Sequence, residues 1–392
     1  MYDMNSKTLR VALIDGPAYA PLYACLSQFS QQFGIQVDIG FKGTHPELNR
    51  HVQESMENGL PSYDLISTHT KYAPSQARYL YGLEQEFTAE ELEDFSPALL
   101  DLARVQGKLM SIPRNFDARL LFYRRDRLEE LGLSAPETWE ELAHVASSVT
   151  EAGYTGFVFP GMESGLFGTF FELLISGGGQ LFDEQLQPMF ASEAGVEALQ
   201  KLRQWYQWGG TPKGLPDMHY DEVSASFRQG ESTMVTDWPG YFGLLSESPV
   251  ANVFDLALTP KSASGRRAVY CGSHSFAIPA SSEHVKEALL LLKFITSPEA
   301  QAVDADQGHV PVRQSIMKRL KREALPNSIA AKRWTLLEET IATSVIIPPK
   351  FPTYPTAEDI LWQALRRCII GELSEHQALA LASEQIQELI RS

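Results

Sequence analysis

The chain has 392 residues, 44% of them hydrophobic, and a formal net charge of −16 at pH 7. That length exceeds what one ordinary core fills, so two domains are expected. So acidic a chain is a poor partner for nucleic acid, whose phosphates need clustered Lys and Arg. Cys25, Cys271 and Cys368 are odd in number and far apart, without CxxC or Cys/His metal spacing, which argues against a disulfide framework or a structural zinc.

No apolar run approaches the roughly 20 residues that span a bilayer. The start, "MYDMNSKTLRVALID", has no signal-peptide core, so the protein is expected to be cytosolic or to have had a leader removed. "LRVALID" (9–15) reads as a buried first strand, followed by the loop "GPAYAP". "LYACLSQFSQQFG" has helical apolar spacing and stops at Gly34. "IQVDIGF" (35–41) alternates like a strand, "HPELNRHVQESMENG" is a helix with Pro46 near its start and Gly59 at its end, and "YDLIST" (63–68) is a third strand. Such alternation implies a parallel sheet with helices on its faces.

Ligands in such sheets sit beyond the carboxyl ends of the strands. That puts loops 16–21, 42–45 and 68–72 on one rim, with Tyr19, Thr44, His45, Thr68, His69, Lys71 and Tyr72 as candidate contacts. The alternative is that loop ends are polar simply because they are solvated.

Next comes "SIPRNFDARLLFYRRD" (111–126), where Arg114, Asn115, Asp117 and Arg119 crowd the start of an apolar run. They read as a catalytic cluster, a ligand rim or a salt-bridged turn. Thr138 and Glu141 form a capping-box pattern, "YTGFVFPG" is strand-like, and "TFFELLISGGGQLFD" is an apolar helix closed by Gly177, Gly178 and Gly179. That glycine run lacks phosphate-loop spacing. "EAGVEALQKLRQWYQWGG" is amphipathic, "YDEVSASFRQG" a helix, "STMVT" a strand and "DWPGY" a loop. "RAVYCGSHSFAIPA" reads as strand-loop-strand, and "SEHVKEALLLLKFITSPEAQ" as a helix stopped by Pro298.

Catalytic signals are weak. Ser273, His274 and Ser275 are neighbours, and neighbours on an extended chain point to opposite faces. No GxSxG elbow occurs, no spacing singles out a carboxylate pair among Asp117, Asp237 and Glu163, and the nine histidines form no helical metal pair. Nothing calls for a cofactor or a metal. The aromatic loops say more. Trp238 and Tyr241 lie in "TDWPGYFG", and Phe351 and Tyr354 in "PKFPTYP"; rings in rigid loops offer faces on which sugar C–H groups stack, while hydroxyls bond to polar neighbours. Ordinary loop packing is the competing reading.

The order of "YDLIST", "GLEQEF", "GKLMSIPRNFDARLLFYRRDRLEELGL", "PETWEELAHVA", "LLISGGGQLFDE", "SFRQGESTMVTDWPGYF", "SHSFAIPASSEHVKEALLLLKFITSPEAQ" and "HVPVRQSI" resembles family 1 extracellular solute-binding proteins, the maltose-binding-protein-like sugar receptors of bacterial ABC importers. The resemblance covers nearly the whole chain. It implies an α/β, two-lobe periplasmic-binding-protein fold (type II), with a ligand cleft between lobes joined by hinge strands. The lobes would be 1–116 with 264–314, and 117–263 with 315–392. The implied partners are a carbohydrate ligand and the importer's membrane permease subunits. The implied working unit is a monomer in the periplasm or anchored outside the membrane, and the protein is not an enzyme.

By the family's pattern the carboxylate at the first crossing falls on Asp117, between Asn115 and the strand that follows. The Asp common five residues after the strand Asp is replaced here, counting from Asp64, by His69. The glycine-serine loop falls on Gly272, Ser273 and His274, the aromatic loop on Trp238 and Tyr241, and the late aromatic near Tyr354 or Trp362, the last of which could equally be helix core. His45, His69, Lys71, Arg114 and His274 make the rim richer in basic and imidazole groups than a neutral sugar requires. The ligand is then a uronic or sulfonated sugar, or Arg114 merely pairs with Asp117 and the ligand is a neutral sugar. A glycoside-processing enzyme and a polyamine receptor are the other classes, though Asp117 and Asp237 are few carboxylates for a polyamine.

Overall fold

The computed structural model describes residues 7–16, 19–59, 62–208 and 210–392. Pro17 and Ala18 of the first rim loop, and Gly209, lie outside the described residues. The chain divides into two compact units. Unit 1 holds residues 1–117, 272–323 and 350–352; unit 2 holds 118–271, 324–349 and 353–392.

Unit 1 is built on a five-stranded sheet in the order Gln36–Gly43, Thr8–Ile14, Leu65–His69, His274–Ala277, Ile112–Pro113. The first three strands run parallel, and His274–Ala277 is antiparallel to both its neighbours. Leu9, Val11, Ala12 and Leu13 are fully buried, as a strand covered on both faces requires. Helix Ala20–Phe33 turns Leu22, Leu26 and Phe29 inward and ends at Gly34 with φ 68°. Helix His45–Asn58 has a Thr44–Glu47 capping box and ends at Gly59 with φ 69°. These left-handed caps are the conformation glycine adopts without cost.

Pro298 does not itself end a helix: Val285–Ile295 is already over, and Pro298 opens the next helix, Pro298–Asp306. Ser297 caps that helix, its hydroxyl accepting the Ala300 N–H at 3.2 Å. Proline at the first helical turn lacks only an N–H that would have had no partner.

Unit 2 has a four-stranded sheet in the order Phe254–Ala257, Leu120–Arg124, Ser232–Asp237, Thr155–Val158. Ser232–Asp237 is antiparallel to Leu120–Arg124 and parallel to Thr155–Val158. Thr138 caps helix Trp139–Glu151, accepting the Glu141 N–H at 3.1 Å, as its capping-box pattern predicts. Helix Glu163–Ser176 is buried almost throughout and packs against helices Glu193–Gln207 and Tyr354–Ile369.

The chain passes between the units at Asp117/Ala118, Cys271/Gly272 and Glu323/Ala324, with Lys350–Pro352 returning to unit 1. The last two passages lie later than the 263/264 and 314/315 read from the sequence. Strand Val269–Gly272 pairs with Val345–Ile346, which holds it to unit 2 through Cys271. Helix Gln314–Glu323 is tied to unit 1 by the Gln314 N–H to the Asp94 carbonyl, at 2.7 Å. Lys350 returns because its Nζ donates to the carbonyls of Asp101, Leu102 and Arg104 at 3.0–3.1 Å, closing the end of helix Pro97–Leu102 with a cation.

Candidate functional site

In unit 1 the carboxyl ends of the three parallel strands share an edge with the start of His274–Ala277, whose first residue is in register with His69. This register brings together side chains far apart in sequence. The ring centroids of His45, His69 and His274 lie 4.8, 5.1 and 5.3 Å from one another. Tyr19 is 6.1 Å from His274, Tyr72 is 5.6 Å from His45, and the Arg114 guanidinium lies over the Tyr19 ring at 4.8 Å. Lys71, only 8% exposed, holds Nζ 5.0 Å from the Tyr72 ring centre.

The His69 and His274 imidazoles are kept neutral. Burial pushes His274 down to about 3, with Arg114 and His309 adding to the effect. Burial, His274 and Lys71 hold His69 well below the usual histidine range. The Nδ1 of His69 accepts the Lys71 N–H at 3.2 Å, so its proton resides on Nε2. That nitrogen lies against Gly272, where a Cβ would come within 2.4 Å of it. Glycine at 272 is what lets the ring approach the backbone. Among the described residues no group of His, Cys, Asp and Glu is arranged to hold a metal ion.

Arg114 pairs with Asp304 at 2.9 Å, and not with Asp117. Asp117 instead accepts from the Asn115 amide at 3.0 and 2.9 Å, and burial pushes its carboxyl up to about 7 against the lowering effects of Arg114 and Asn115. Asn115 is a junction: its Oδ1 accepts the His274 N–H at 3.1 Å, and its carbonyl accepts the Ser273 hydroxyl at 2.8 Å. Ser273 is fully buried, so its side chain fastens the loop. Thr68 is also turned inward, donating to Gln76 at 2.6 Å, and Thr44 is bonded to Glu47 in its helix cap.

In unit 2, Trp238 follows strand Ser232–Asp237, and its N–H is held by Asp237 at 2.8 Å. Its ring lies 5.2 Å from Tyr220 and 5.8 Å from Tyr270. Arg119 stands over Trp238 at 5.2 Å and over Tyr270 at 5.6 Å, paired at 3.3 Å with Glu172 in a setting where neither side chain is exposed. Tyr241 donates to Asp221. Tyr354 is in the core, 1% exposed, its hydroxyl donating to Glu358 at 2.8 Å. Trp362 is half-buried on helix Tyr354–Ile369, with Nε1 on Asp359 at 3.0 Å.

Asp304, His309, Tyr220, Tyr270 and Glu172 join these clusters without having been singled out in the sequence. One signal did exist for Glu172: an acid inside "FFELL", matched by Arg119 at the head of "RLLFY", since charges in apolar runs need partners.

The family model described as bacterial extracellular solute-binding protein matches residues 25–302, more than half of the chain. A probable ABC transporter-binding protein of Deinococcus radiodurans is 30% identical over 57% of this chain, and this chain spans 56% of that protein's length. The mannitol-binding protein of Pseudomonas aeruginosa is 26% identical over 75% of this chain and 72% of its own. Maltose-bound MalE3 of T. maritima superposes with a TM-score of 0.90 at 26% identity, over 97% of this chain and 99% of that one, so the two-lobe periplasmic-binding-protein fold is shared. Among the described residues no helix is long and apolar enough to cross a membrane. The chain belongs to the bacterial extracellular solute-binding proteins, the binding components of ABC importers.

Proposed function

We propose that this protein captures a carbohydrate or sugar alcohol outside the cytoplasmic membrane and passes it, unchanged, to the permease of an ABC importer. The observation that carries the reading is the unit 1 rim, where Tyr19, His45, His69, His274 and Arg114 gather at the carboxyl ends of the parallel strands. Neutral imidazoles and phenols suit hydroxyls, because each can donate or accept a hydrogen bond. Trp238 in unit 2, held by Asp237 and backed by Tyr220, supplies an aromatic face of the kind that stacks on a sugar ring. Relatives described as maltose-bound and mannitol-binding support the same chemistry.

A thermal-shift screen over neutral and acidic sugars and polyols tests the reading. A ligand that binds only the folded state, at a hundred times its Kd, adds about 2.7 kcal/mol of stability. Trp238→Ala is expected to weaken the ligand so found by about tenfold or more. Mass spectrometry after prolonged incubation should recover the solute intact. A hydrolysed or modified product would favour the enzyme reading instead.

A further inference from the structure

The rim of unit 1 is unevenly supplied. Arg114 is 2% exposed; one nitrogen donates to Asp304 at 2.9 Å, and the buried Nη1 has no hydrogen-bond partner. Leaving a buried charged donor unmade is costly, of the order of 1–3 kcal/mol, so such a group is usually waiting for something. Around it stand donors. Lys71 is buried beside Tyr72, and His45, His69 and His274 crowd within 5.3 Å of one another. The acceptors nearby are already engaged: Asp304 with Arg114, and Asp117 with both contacts from the Asn115 amide. A polyhydroxyl ligand alone would ask for acceptors as well as donors.

We infer that the solute carries an anionic group, a carboxylate or sulfonate on a sugar scaffold, and that Nη1 of Arg114 is its anchor, with His45 and His274 donating to the same group. This rests on the carbohydrate reading above and narrows it. A guanidinium fixed by one carboxylate keeps its remaining edge oriented for a second, so little ordering is needed on binding. The neutrality of His69 and His274 fits: burial above all lowers both, Lys71 beside His69 and Arg114 beside His274 add to the effect, and an anion would relieve that added opposition to positive charge.

The test is isothermal titration calorimetry on the full chain with matched pairs: glucose and glucuronate, galactose and galacturonate, mannitol and mannonate. A hexose sulfonate, added as a separate arm, distinguishes the two anions. At least one acid is expected to bind tenfold or more tightly than its neutral counterpart. Arg114→Lys keeps a cation beside Asp304 but loses the second donor edge, and is expected to cost that acid tenfold or more. If Arg114→Lys misfolds by circular dichroism, the wild-type pairs and Lys71→Met decide, the latter also weakening the acid selectively. A neutral sugar that binds at least as tightly as its acid overturns the anion inference and leaves the carbohydrate reading standing. No binding by any member of either series overturns both.

Discussion

His274 stands among Arg114, Tyr19, His45, His69 and His309, and its imidazole is held down to about 3 from an ordinary 6.5. A folded pKa below the unfolded one means that the unfolded chain takes up the extra proton between those values. The stability due to the neutral ring is therefore whole above about pH 6.5 and lost as pH falls toward 3, at ~1.4 kcal/mol per pH unit. His274→Gln should lose this slope. Urea denaturation at pH 6 and pH 5 should show the variant gaining about 1 kcal/mol on its parent across that step. Asp117, Asp237 and Glu172 act in the opposite sense: burial pushes each up to about 7, so their contribution is present at low pH and lost as pH rises through neutrality. Which residues would matter was partly legible from the chain. Tyr19, His45 and His69 stand out as loop residues after strands, Arg114 as one of the polar residues crowding the start of an apolar run, and His274 through the resemblance of its glycine-serine loop, and the sheet brings the five together. Tyr354 stands out as an aromatic in a proline-rich segment and lies in the core, 1% exposed, at the start of helix Tyr354–Ile369.

At the scale of elements, helix Glu163–Ser176 brings the Glu172 carboxyl against Arg119 in the centre of unit 2. Gly168 of the same helix makes room for Arg119: a Cβ there would lie 2.1 Å from its Nη2. Arg119→Met alone leaves Glu172 buried without its partner and is expected to cost roughly 3–5 kcal/mol. Arg119→Met combined with Glu172→Gln keeps an acceptor for the Tyr270 N–H, which Glu172 holds at 2.9 Å, and should recover most of that loss. A double-mutant cycle by chemical denaturation measures the recovery; additive losses would mean that the two groups are not coupled. Helix Pro298–Asp306 acts on the rim from outside it. Gln301 donates to the Arg114 carbonyl at 2.7 Å, and Asp304 binds the guanidinium. Ser297→Ala removes the cap of this helix and should cost ~1 kcal/mol, read as a fall in the urea midpoint without a change in slope.

For the whole molecule, both units are discontinuous, so neither is a stretch of chain that can be cut out. Helix Tyr354–Ile369 packs against helix Glu163–Ser176 and buries Leu361, Leu365 and Ile369. A chain ending at residue 352 would strip that surface from unit 2, and should lose cooperative unfolding and bind a hydrophobic dye. The sequence by itself determined the alternation of strands and helices, the glycine stops at 34 and 59 and the Thr138 cap, because these rest on local periodicity and on backbone preferences of single residues, while the two-lobe class came from the order of segments that resembles the solute-binding family. Only the tertiary structure decided that Arg114 pairs with Asp304, 190 residues away, rather than with Asp117. It also decided that three histidines at the ends of one helix and two strands form one cluster, and that Trp238 rests beside Tyr270 and Arg119. Sheet order and helix packing set those partnerships, and neither leaves a periodic mark in the residues that meet.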